Sequence, residues 1–438
     1  SLKYNVSHGL WTSTNSKILN SLSVKYKGKI LPINEALGKI QDLKKKERDD
    51  LYSKITDKLQ EISVFSEAEI NAVIKNKKID DDLRGAKSPD EITIKNYRND
   101  KQVVDNLVNI VTRGFKISNR FYKIKVKIMK QKTLSYSDRH EKIGKINQKF
   151  TFEHSVKILK DIFGEFDKKY SDIFDNFIKN GQIDVYPKIG KKGGAFCSST
   201  YTNPTYVLLN HTDSFKSFGT IAHEMGHAFH SELCRNNTIF DMDYSTSIAE
   251  TASTFFENLA INHIINQLPK KDRITALHDK ISNDISTIFR QIACYNYEKD
   301  LHKEIKEKGY LSKELIADLH NKNMSDYLGP VFKFEQKDGY SFVNWSHLRY
   351  FFYVYTYAYG GLLSKYLLSQ YYKDKTFKEK IEKILSAGGN DTPENILKSV
   401  GIDIIKDNIF EKGLESIEND INEFERLVNE TNKKKIKK

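Results

Sequence analysis

The 438-residue chain has only three cysteines and no long run of apolar residues. No apolar stretch approaches the ~20 residues that a membrane-spanning helix requires, so we expect no membrane partner. Cys197, Cys234 and Cys294 are far apart in the sequence and show no CxxC spacing. This pattern fits free thiols in a reducing compartment better than a disulfide framework, which favours a cytoplasmic location.

Arginine is also scarce. Lysine outnumbers it by about five to one, in a chain of net charge +13. The lysines are spread along the sequence with aspartate and glutamate among them. Proteins that read nucleic acids use the planar fork of arginine as well as lysine. The composition therefore argues against a nucleic-acid partner, and no internal repeat points to a solenoid.

The most informative stretch is SFGTIAHEMGHAFHSELCR, at residues 217–235. It contains an HExxH motif in which His223 and His227 are four residues apart. On a helix these two side chains share one face, where they can bind one Zn²⁺ and leave it an open coordination position. Glu224 follows the first histidine and could accept a proton from water at the metal.

A catalytic zinc site with two histidines needs a third protein ligand. The extended motif that supplies a third histidine fails here, because His230 and Leu233 occupy the required positions. Glu250 lies in a second predicted helix, at residues 247–268, whose apolar residues recur at helical spacing. A lone carboxylate beside that buried surface would be unfavourable, and a metal removes the penalty. We predict one Zn²⁺ per chain, bound by His223, His227 and Glu250.

Two nearby side chains leave alternatives open. Glu257 lies seven residues after Glu250 on nearly the same helix face. It could hold a metal-binding histidine in place, or it could be an ordinary surface carboxylate. His230 is expected behind the ligands or in the core rather than as a ligand.

Together with two further stretches, these motifs resemble the oligoendopeptidase F branch of the thimet oligopeptidase family of zinc peptidases. HEMGHAFHSEL and SIAETASTFFE carry the metal motifs, GGAFCSS resembles the strand before the metal helix, and WSHLRYFFYVYTYAYGG resembles a later His/Tyr-rich segment. The resemblance implies a mostly α-helical fold, with two helical lobes around a deep cleft and a small β-sheet before the HExxH helix. It also implies a zinc endopeptidase that hydrolyses short unstructured peptides.

The same resemblance assigns roles in the His/Tyr-rich segment. In the family, a histidine and one or two tyrosines stabilise the oxyanion, and by motif these are His347 and Tyr355, with Tyr353 next. Placed on one helix, His347, Tyr350 and Tyr355 would fall within a broad common face, with Tyr353 and Tyr357 beside it. Tyr350 and Tyr357 are assigned to substrate binding.

Residues 183–210 change pattern to short stretches rich in β-branched and aromatic residues, divided by glycine and proline. They predict two or three strands of a small sheet. Zinc peptidases often bind a substrate by adding its backbone to an exposed sheet edge. By resemblance, Gly194, Ala195 and Phe196 belong to that edge, and a plain structural hairpin is the alternative.

The rest of the chain is predominantly helical by pattern. Specific expectations are one strand at 26–31, a long helix at 100–132, a helical stretch at 272–308 and a Tyr-rich helix at 343–372. For domains, we expect 1–60 to be the remainder of an N-terminal helical lobe, 61–430 the catalytic domain and 431–438 a basic tail, with a monomer favoured. Members of the family usually carry a further helical lobe before the point where this chain begins.

Two other functions remain compatible with the motifs. A metallocarboxypeptidase on a similar helical fold would release single residues from the C-terminus of a peptide. A non-catalytic basic binding protein would be favoured if the purified protein contained no zinc.

Overall fold

The structure, a computed structural model, describes residues 4–436 and divides them into two compact units. The first unit consists of residues 4–96, 111–143 and 285–355, and the second of 97–110, 144–284 and 356–436. The predicted domain division at residues 60 and 430 and the predicted cleft remain predictions. Residues 437–438 of the predicted basic tail lie outside the described residues.

Most of the described residues are α-helical, as the sequence predicts. The helices are α1 (Leu10–Ser21), α2 (Ile33–Lys39), α3 (Lys45–Glu61), α4 (Ser63–Leu83), α5 (Glu91–Asn96), α6 (Lys101–Arg113), α7 (Phe115–Met129), α8 (Phe152–Phe166), α9 (Lys168–Lys179), α10 (Phe215–Cys234), α11 (Thr246–Gln267), α12 (Lys270–Asp284), α13 (Arg290–Lys308), α14 (Lys313–Leu328), α15 (Tyr355–Lys373), α16 (Lys378–Ser386), α17 (Pro393–Ser399) and α18 (Ile409–Ile436). Within the described part of the chain, no helix is long and apolar enough to cross a membrane.

Among the described residues, the strands are short and form three small sheets. They are β1 (Ser23–Tyr26), β2 (Lys29–Pro32), β3 (Leu134–Ser135), β4 (Ile183–Asp184), β5 (Phe196–Ser198), β6 (Tyr206–Leu208) and β7 (Phe332–Lys333). Strands β1 and β2 form an antiparallel hairpin, β3 and β7 a parallel pair, and β4, β6 and β5 a three-stranded sheet in that order. The third sheet confirms the strands predicted between residues 183 and 210.

The single strand predicted at 26–31 was wrong. The chain reverses there at Lys27 and Gly28, whose φ angles are 47° and 78°. Two successive positive φ values are the signature of the tight turn that best matches the twist of paired strands. The two halves of the predicted strand therefore pair with each other as β1 and β2.

The long predicted helices also contain breaks. The helix predicted at 100–132 is divided at Gly114 into α6 and α7, where glycine lowers helix propensity. The stretch predicted at 272–308 is helical, but a π-helical turn at Ile285–Phe289 lies between α12 and α13. Such a turn changes the direction of the side chains that follow it and is frequent at functional sites.

The Tyr-rich helix predicted at 343–372 was wrong for the residues before Tyr355. Helix α15 begins only at Tyr355, after 3₁₀ segments at Gln336–Asn344 and Ser346–Arg349. Phe351 and Phe352 have φ angles of 48° and 61°, which no α-helix permits. His347 therefore does not share a helix face with Tyr355.

Buried polar groups of the first unit explain this irregular backbone. Arg349 pairs with the buried carboxylate of Glu69 at 2.7 Å, and it also donates to the carbonyls of Phe342 and Trp345, each at 2.8 Å. The N–H of Phe352 donates to the Glu298 carboxylate at 3.0 Å. Satisfying these buried groups outweighs the helical pattern of the sequence.

In the second unit, an aromatic cluster fixes the helices that carry the HExxH motif and Glu250. Phe229 of α10 and Phe256 of α11 have ring centroids 4.8 Å apart, and Phe163 of α8 lies 5.0 Å from Phe229. All three rings are fully buried. Burying rings of this size stabilises the packing of α8, α10 and α11.

Candidate metal centre

Helix α10 presents the HExxH motif from a helix that is buried along most of its length. The Oγ atom of Ser214 caps its start by accepting a hydrogen bond from the Ser217 N–H at 3.1 Å. Because His223 and His227 are four residues apart, their rings lie on one face, with centroids 5.1 Å apart. Both side chains are partly exposed, at 26% and 18%.

Helix α11, which agrees with the second predicted helix, brings Glu250 to that face. It packs closely along α10 at Gly226, where a Cβ atom would lie 2.6 Å from Ser253 Cα and 2.7 Å from the Ala252 carbonyl oxygen. These are backbone atoms, which cannot swing away as a side chain can. The absence of a side chain at Gly226 therefore sets the distance between the histidines and Glu250.

The structure brings His223, His227 and Glu250 together. Oε2 of Glu250 lies 3.5 Å from His223 Nε2 and 3.8 Å from His227 Nε2. One ligand atom from each residue lies within 4.8 Å of the other two. Among the described residues, this is the only group of histidine, cysteine and acidic side chains that converges in this way.

Two further side chains of α11 hold these residues in place. His223 Nδ1 donates to Glu257 Oε2 at 2.9 Å, which orients the ring so that Nε2 faces Glu250. Of the two roles considered for Glu257, this contact supports the one in which it holds a histidine. The Ser253 hydroxyl donates to Glu250 Oε2 at 3.0 Å. Ser253 was not predicted, although its position three residues after Glu250 places it on the same helix face.

The clustered carboxylates stabilise positive charge at this position. Burial lowers the pKa of His223, but the hydrogen bond to Glu257 and the charges of Glu257 and Glu250 outweigh it and raise the pKa to about 9. A divalent cation would replace that proton and neutralise the carboxylates. Two imidazole nitrogens and one carboxylate oxygen are a donor set that suits Zn²⁺, so the residues fit the expected metal.

Glu224 is chemically distinct from the other carboxylates of the site. It is 6% exposed, and its Oε2 is buried with no hydrogen-bond partner in the described part of the chain. Burial raises its pKa to about 7; the charge of His223 opposes the rise, and that of Glu250 adds to it. A buried carboxylate without a partner is unfavourable for stability and is typical of groups that transfer protons.

Strand β5 lies at the edge of its three-stranded sheet and next to Glu224. The sheet order is β4, β6, β5, so one side of β5 has no strand paired to it in the described residues. Gly194 and Ala195 lead into the strand, with φ of 82° at Gly194, and Phe196 is 39% exposed. The backbone N–H of Cys197 acts on the Glu224 carboxylate. The edge predicted for substrate is therefore adjacent to the predicted general base.

The residues predicted to stabilise the oxyanion occupy several environments in the first unit. His347 Nδ1 and the Tyr353 hydroxyl form a hydrogen bond. Tyr355 is fully buried and packs edge-on against Tyr295, with centroids 6.2 Å apart. Tyr350 is 65% exposed. The catalytic roles of His347, Tyr353 and Tyr355 remain predictions.

Tyr357 and His230 belong to the second unit. Tyr357 lies in α15, and its assignment to substrate binding remains a prediction. His230 is fully buried and stacks on Tyr244 with centroids 3.5 Å apart. Burial lowers the pKa of His230 to about 3, so it is a neutral core residue, in agreement with the expectation that it is not a ligand.

Comparison with known proteins identifies the family of the chain. A family model described as Peptidase family M3 matches residues 40–416. The chain belongs to this family. It is 27% identical over 346 residues to Oligopeptidase PepF of Bacillus subtilis (strain 168), an alignment that covers 78% of the chain and 52% of that protein. It is 31% identical over 345 residues to an oligoendopeptidase F homologue of Borreliella burgdorferi, covering 76% of the chain and 56% of the relative.

The fold of the chain is also found among solved structures. A putative peptidase from Chlamydophila abortus superposes with a TM-score of 0.86 at 23% identity, covering 95% of this chain and 72% of that one. An oligoendopeptidase-F from Enterococcus faecium superposes with a TM-score of 0.76 at 18% identity, covering 97% of this chain and 73% of that one. The resemblance to oligoendopeptidase F is confirmed at the level of family and fold. The chain spans about half the length of the curated relatives it matches, 52% and 56% for the two named here.

Proposed function

We propose that this M3 family member is a zinc-dependent endopeptidase acting on short, unstructured peptides. The observation that carries the proposal is the convergence of His223 Nε2, His227 Nε2 and Glu250 Oε2. Relatives named as oligopeptidases support the same reaction class. When bound, Zn²⁺ would supply Lewis-acid chemistry that makes water nucleophilic near neutral pH and withdraws charge from a peptide carbonyl.

In this proposal Glu224 is the general base. It accepts a proton from the attacking water as the new C–O bond forms, and it passes that proton to the amine nitrogen as the C–N bond breaks. Its buried and unpaired Oε2 supports this role, because the oxygen has no competing hydrogen bond within the described residues. Glu257 and Ser253 keep the ligand atoms of His223 and Glu250 in place.

Strand β5 is the proposed docking edge for the peptide backbone. Main-chain hydrogen bonds to its free side would hold an extended peptide irrespective of side-chain identity. Gly194, Ala195 and Phe196 would provide this edge, and its position next to Glu224 supports the assignment. Tyr350 and Tyr357 are proposed as further substrate contacts.

His347, Tyr355 and Tyr353 are proposed to donate hydrogen bonds to the oxyanion. One such donor typically contributes ~10²–10³ in rate. The proposal also places the protein in the cytoplasm as a monomer, with residues 61–430 as its catalytic domain.

The test combines metal analysis with product analysis. The purified chain is expected to contain one zinc per molecule and to cleave internal bonds in a mixed set of short peptides, with products identified by mass spectrometry. Release of single C-terminal residues would instead indicate a carboxypeptidase. A protein that binds no zinc and cleaves nothing would contradict the proposal and favour a non-catalytic basic protein.

A further inference from the structure

Arg290, in the first unit, forms no ion pair with an acidic side chain of the described residues. It is the first residue of α13, directly after the π-helical turn at Ile285–Phe289. Its guanidinium forms no hydrogen bond or ion pair with any other described residue, and it lies 5.6 Å from the ring centroid of Trp345. The residue is partly exposed, and only its Nε is among the buried unpaired atoms, which leaves its terminal nitrogens on the accessible side.

Arg139 is a second arginine that forms no ion pair with a carboxylate of the described residues. Its guanidinium stacks on the Tyr136 ring at 3.9 Å, and its Nη1 donates to the Tyr136 carbonyl at 2.7 Å. Its Nε is buried and unpaired within the described part of the chain, where no carboxylate lies within ion-pair distance of the guanidinium. The acidic group whose charge acts on it is Asp338.

The two arginines face one region of the first unit. Tyr136, under Arg139, is 5.9 Å from the ring of His320, which is 5.5 Å from the ring of Trp345 at Arg290. The surrounding protein atoms, and then the charges of Arg139 and Arg290, hold the pKa of His140 well below its usual range. His140 is exposed, so the positive charges of both arginines act on one solvent-accessible position.

The region also adjoins His347, a proposed donor to the oxyanion. The rings of Trp345 and His347 are 6.4 Å apart. Burial lowers the pKa of His347 to about 4, and the positive charge of Arg290 contributes to the shift. The unpaired positive charge therefore lies beside a residue that the proposed mechanism uses.

The placement of Arg290 and Arg139 against aromatic rings suits the binding of a carboxylate. An arginine whose Nε is buried normally donates that N–H to an acceptor, because an unpaired buried donor is unfavourable. Its planar fork matches a carboxylate through two parallel hydrogen bonds, and an aromatic face keeps the fork in one orientation. Peptides carry carboxylates at the C-terminus and on acidic side chains.

We propose that Arg290 and Arg139 form a subsite that binds a carboxylate of the peptide substrate. The proposal rests on the proposed peptidase function and deepens it, because it makes the enzyme selective for substrates with a correctly placed negative charge. The carboxylate is either the C-terminus of the peptide or an acidic side chain, and the experiment below separates these two sources.

The first arm measures binding without turnover. The zinc-loaded Glu224→Gln variant is titrated calorimetrically with four peptides. These are acetyl-pentaalanine with a free C-terminus, its C-terminal amide, and two amidated counterparts with a central glutamate or a central glutamine. We expect at least one charged peptide to bind about 10-fold or more tightly than its neutral partner. Adding Arg290→Gln or Arg139→Gln should remove that preference, whereas Arg290→Lys should keep part of it.

The second arm measures kcat/KM for hydrolysis of matched peptides by the otherwise unmodified chain and its arginine variants. The loss in Arg290→Gln should appear mainly in KM and only for the charged peptides. Arg84→Gln, an exposed arginine distant in sequence, is the control and should retain the preference. Circular dichroism spectra should match across all variants.

Each outcome has a defined meaning. A preference that depends on the free C-terminus assigns the subsite to the terminal carboxylate, and one that depends on the central glutamate assigns it to a side chain. Equal binding of charged and neutral peptides, or a preference that survives both Arg290→Gln and Arg139→Gln, would overturn the proposal. If no peptide is cleaved, the proposed function fails, but the binding arm still decides whether the subsite exists.

Discussion

At the scale of single residues, three glutamates of the candidate centre share one chemical group and differ in environment. Glu250 accepts a hydrogen bond from Ser253 and directs Oε2 towards both histidines. Glu257 is paired with His223 Nδ1. Glu224 is buried, and its Oε2 has no partner within the described residues. These differences suit ligand, orienting and proton-transfer roles respectively.

The role of Glu224 gives the first prediction. Glu224→Gln keeps the size of the side chain but removes its ability to accept a proton, so we expect kcat to fall about 10²–10⁴-fold. Zinc content, measured by mass spectrometry of the metal, should stay at the wild-type level. The control is Glu232→Gln on the same helix, whose carboxylate is paired with Arg235. An active Glu224→Gln enzyme would refute the assignment of the base.

The contact between Glu257 and His223 gives the second prediction. Glu257→Ala removes the acceptor that fixes the His223 ring, so zinc affinity should fall about 10–100-fold. The dissociation constant can be measured by competition with a chelator of known affinity. Asn258→Ala changes the next residue, whose amide bonds to the Thr254 carbonyl, and should leave affinity unchanged. Equal affinities in the two variants would show that Glu257 is an ordinary surface carboxylate.

Much of the centre could be predicted from residue spacing alone. The HExxH interval places His223 and His227 on one helix face whatever surrounds them, and the apolar pattern around Glu250 identifies its helix. The contact of Glu257 with His223 depends on how α10 and α11 pack. No sequence interval encodes that packing, which explains why the residues left two roles open for Glu257.

At the scale of secondary-structure elements, the local sequence pattern predicts regular helices correctly. It fails where buried side chains bind the backbone of the segment. Helix α11 has the predicted bounds to within one residue. The segment before α15 is rich in helix-compatible residues, yet Arg349 and Glu298 bind its carbonyls and N–H groups and keep it irregular. Glu69, the partner of Arg349, is 280 residues away in sequence, so no local window could reveal it.

Glu298 gives a pH prediction for this segment. Burial raises its pKa to about 8 from an ordinary value of 4.5. Between about pH 5 and 8 the folded protein holds this proton and the unfolded chain has released it, so stability falls as pH rises, by about 1.4 kcal/mol per pH unit. Glu298→Gln keeps an acceptor for the Phe352 N–H and should lose this slope in denaturant unfolding. The exposed Glu307→Gln should retain it.

The close approach of α10 and α11 gives a prediction at the same scale. Gly226→Ala places a Cβ atom against backbone of α11, so the helices must separate, at a cost of about 1–3 kcal/mol in unfolding free energy. Zinc affinity should fall as well, because Glu250 moves with α11. Gly219→Ala on the same helix would bring its Cβ atom to 3.1 Å from the flexible end of Ile261 and to 3.7 Å, an ordinary contact distance, from Glu257 Oε1, so its effect should be milder. If both variants bind zinc as tightly as the wild type, Gly226 does not set the ligand distance.

At the scale of the whole molecule, the predicted ligands all belong to the second unit, whereas His347, Tyr353, Arg139 and Arg290 belong to the first. A bound cation would therefore act on one unit only, by joining α10 to α11 and by neutralising the carboxylates of Glu224, Glu250 and Glu257. A ligand that binds only the folded state stabilises it in proportion to the logarithm of its concentration over its dissociation constant.

Metal removal should accordingly destabilise the protein locally. Chelation is expected to cost about 3–4 kcal/mol at zinc concentrations 100–1,000 times the dissociation constant, and re-addition of zinc should restore the melting temperature. Hydrogen exchange should show the lost protection concentrated in α10 and α11, because the ligands come from those helices. The doubly substituted His223→Ala, His227→Ala protein should melt at the same temperature with and without chelator. A chelator effect that persists in this variant, or loss of protection spread equally over both units, would place the metal elsewhere.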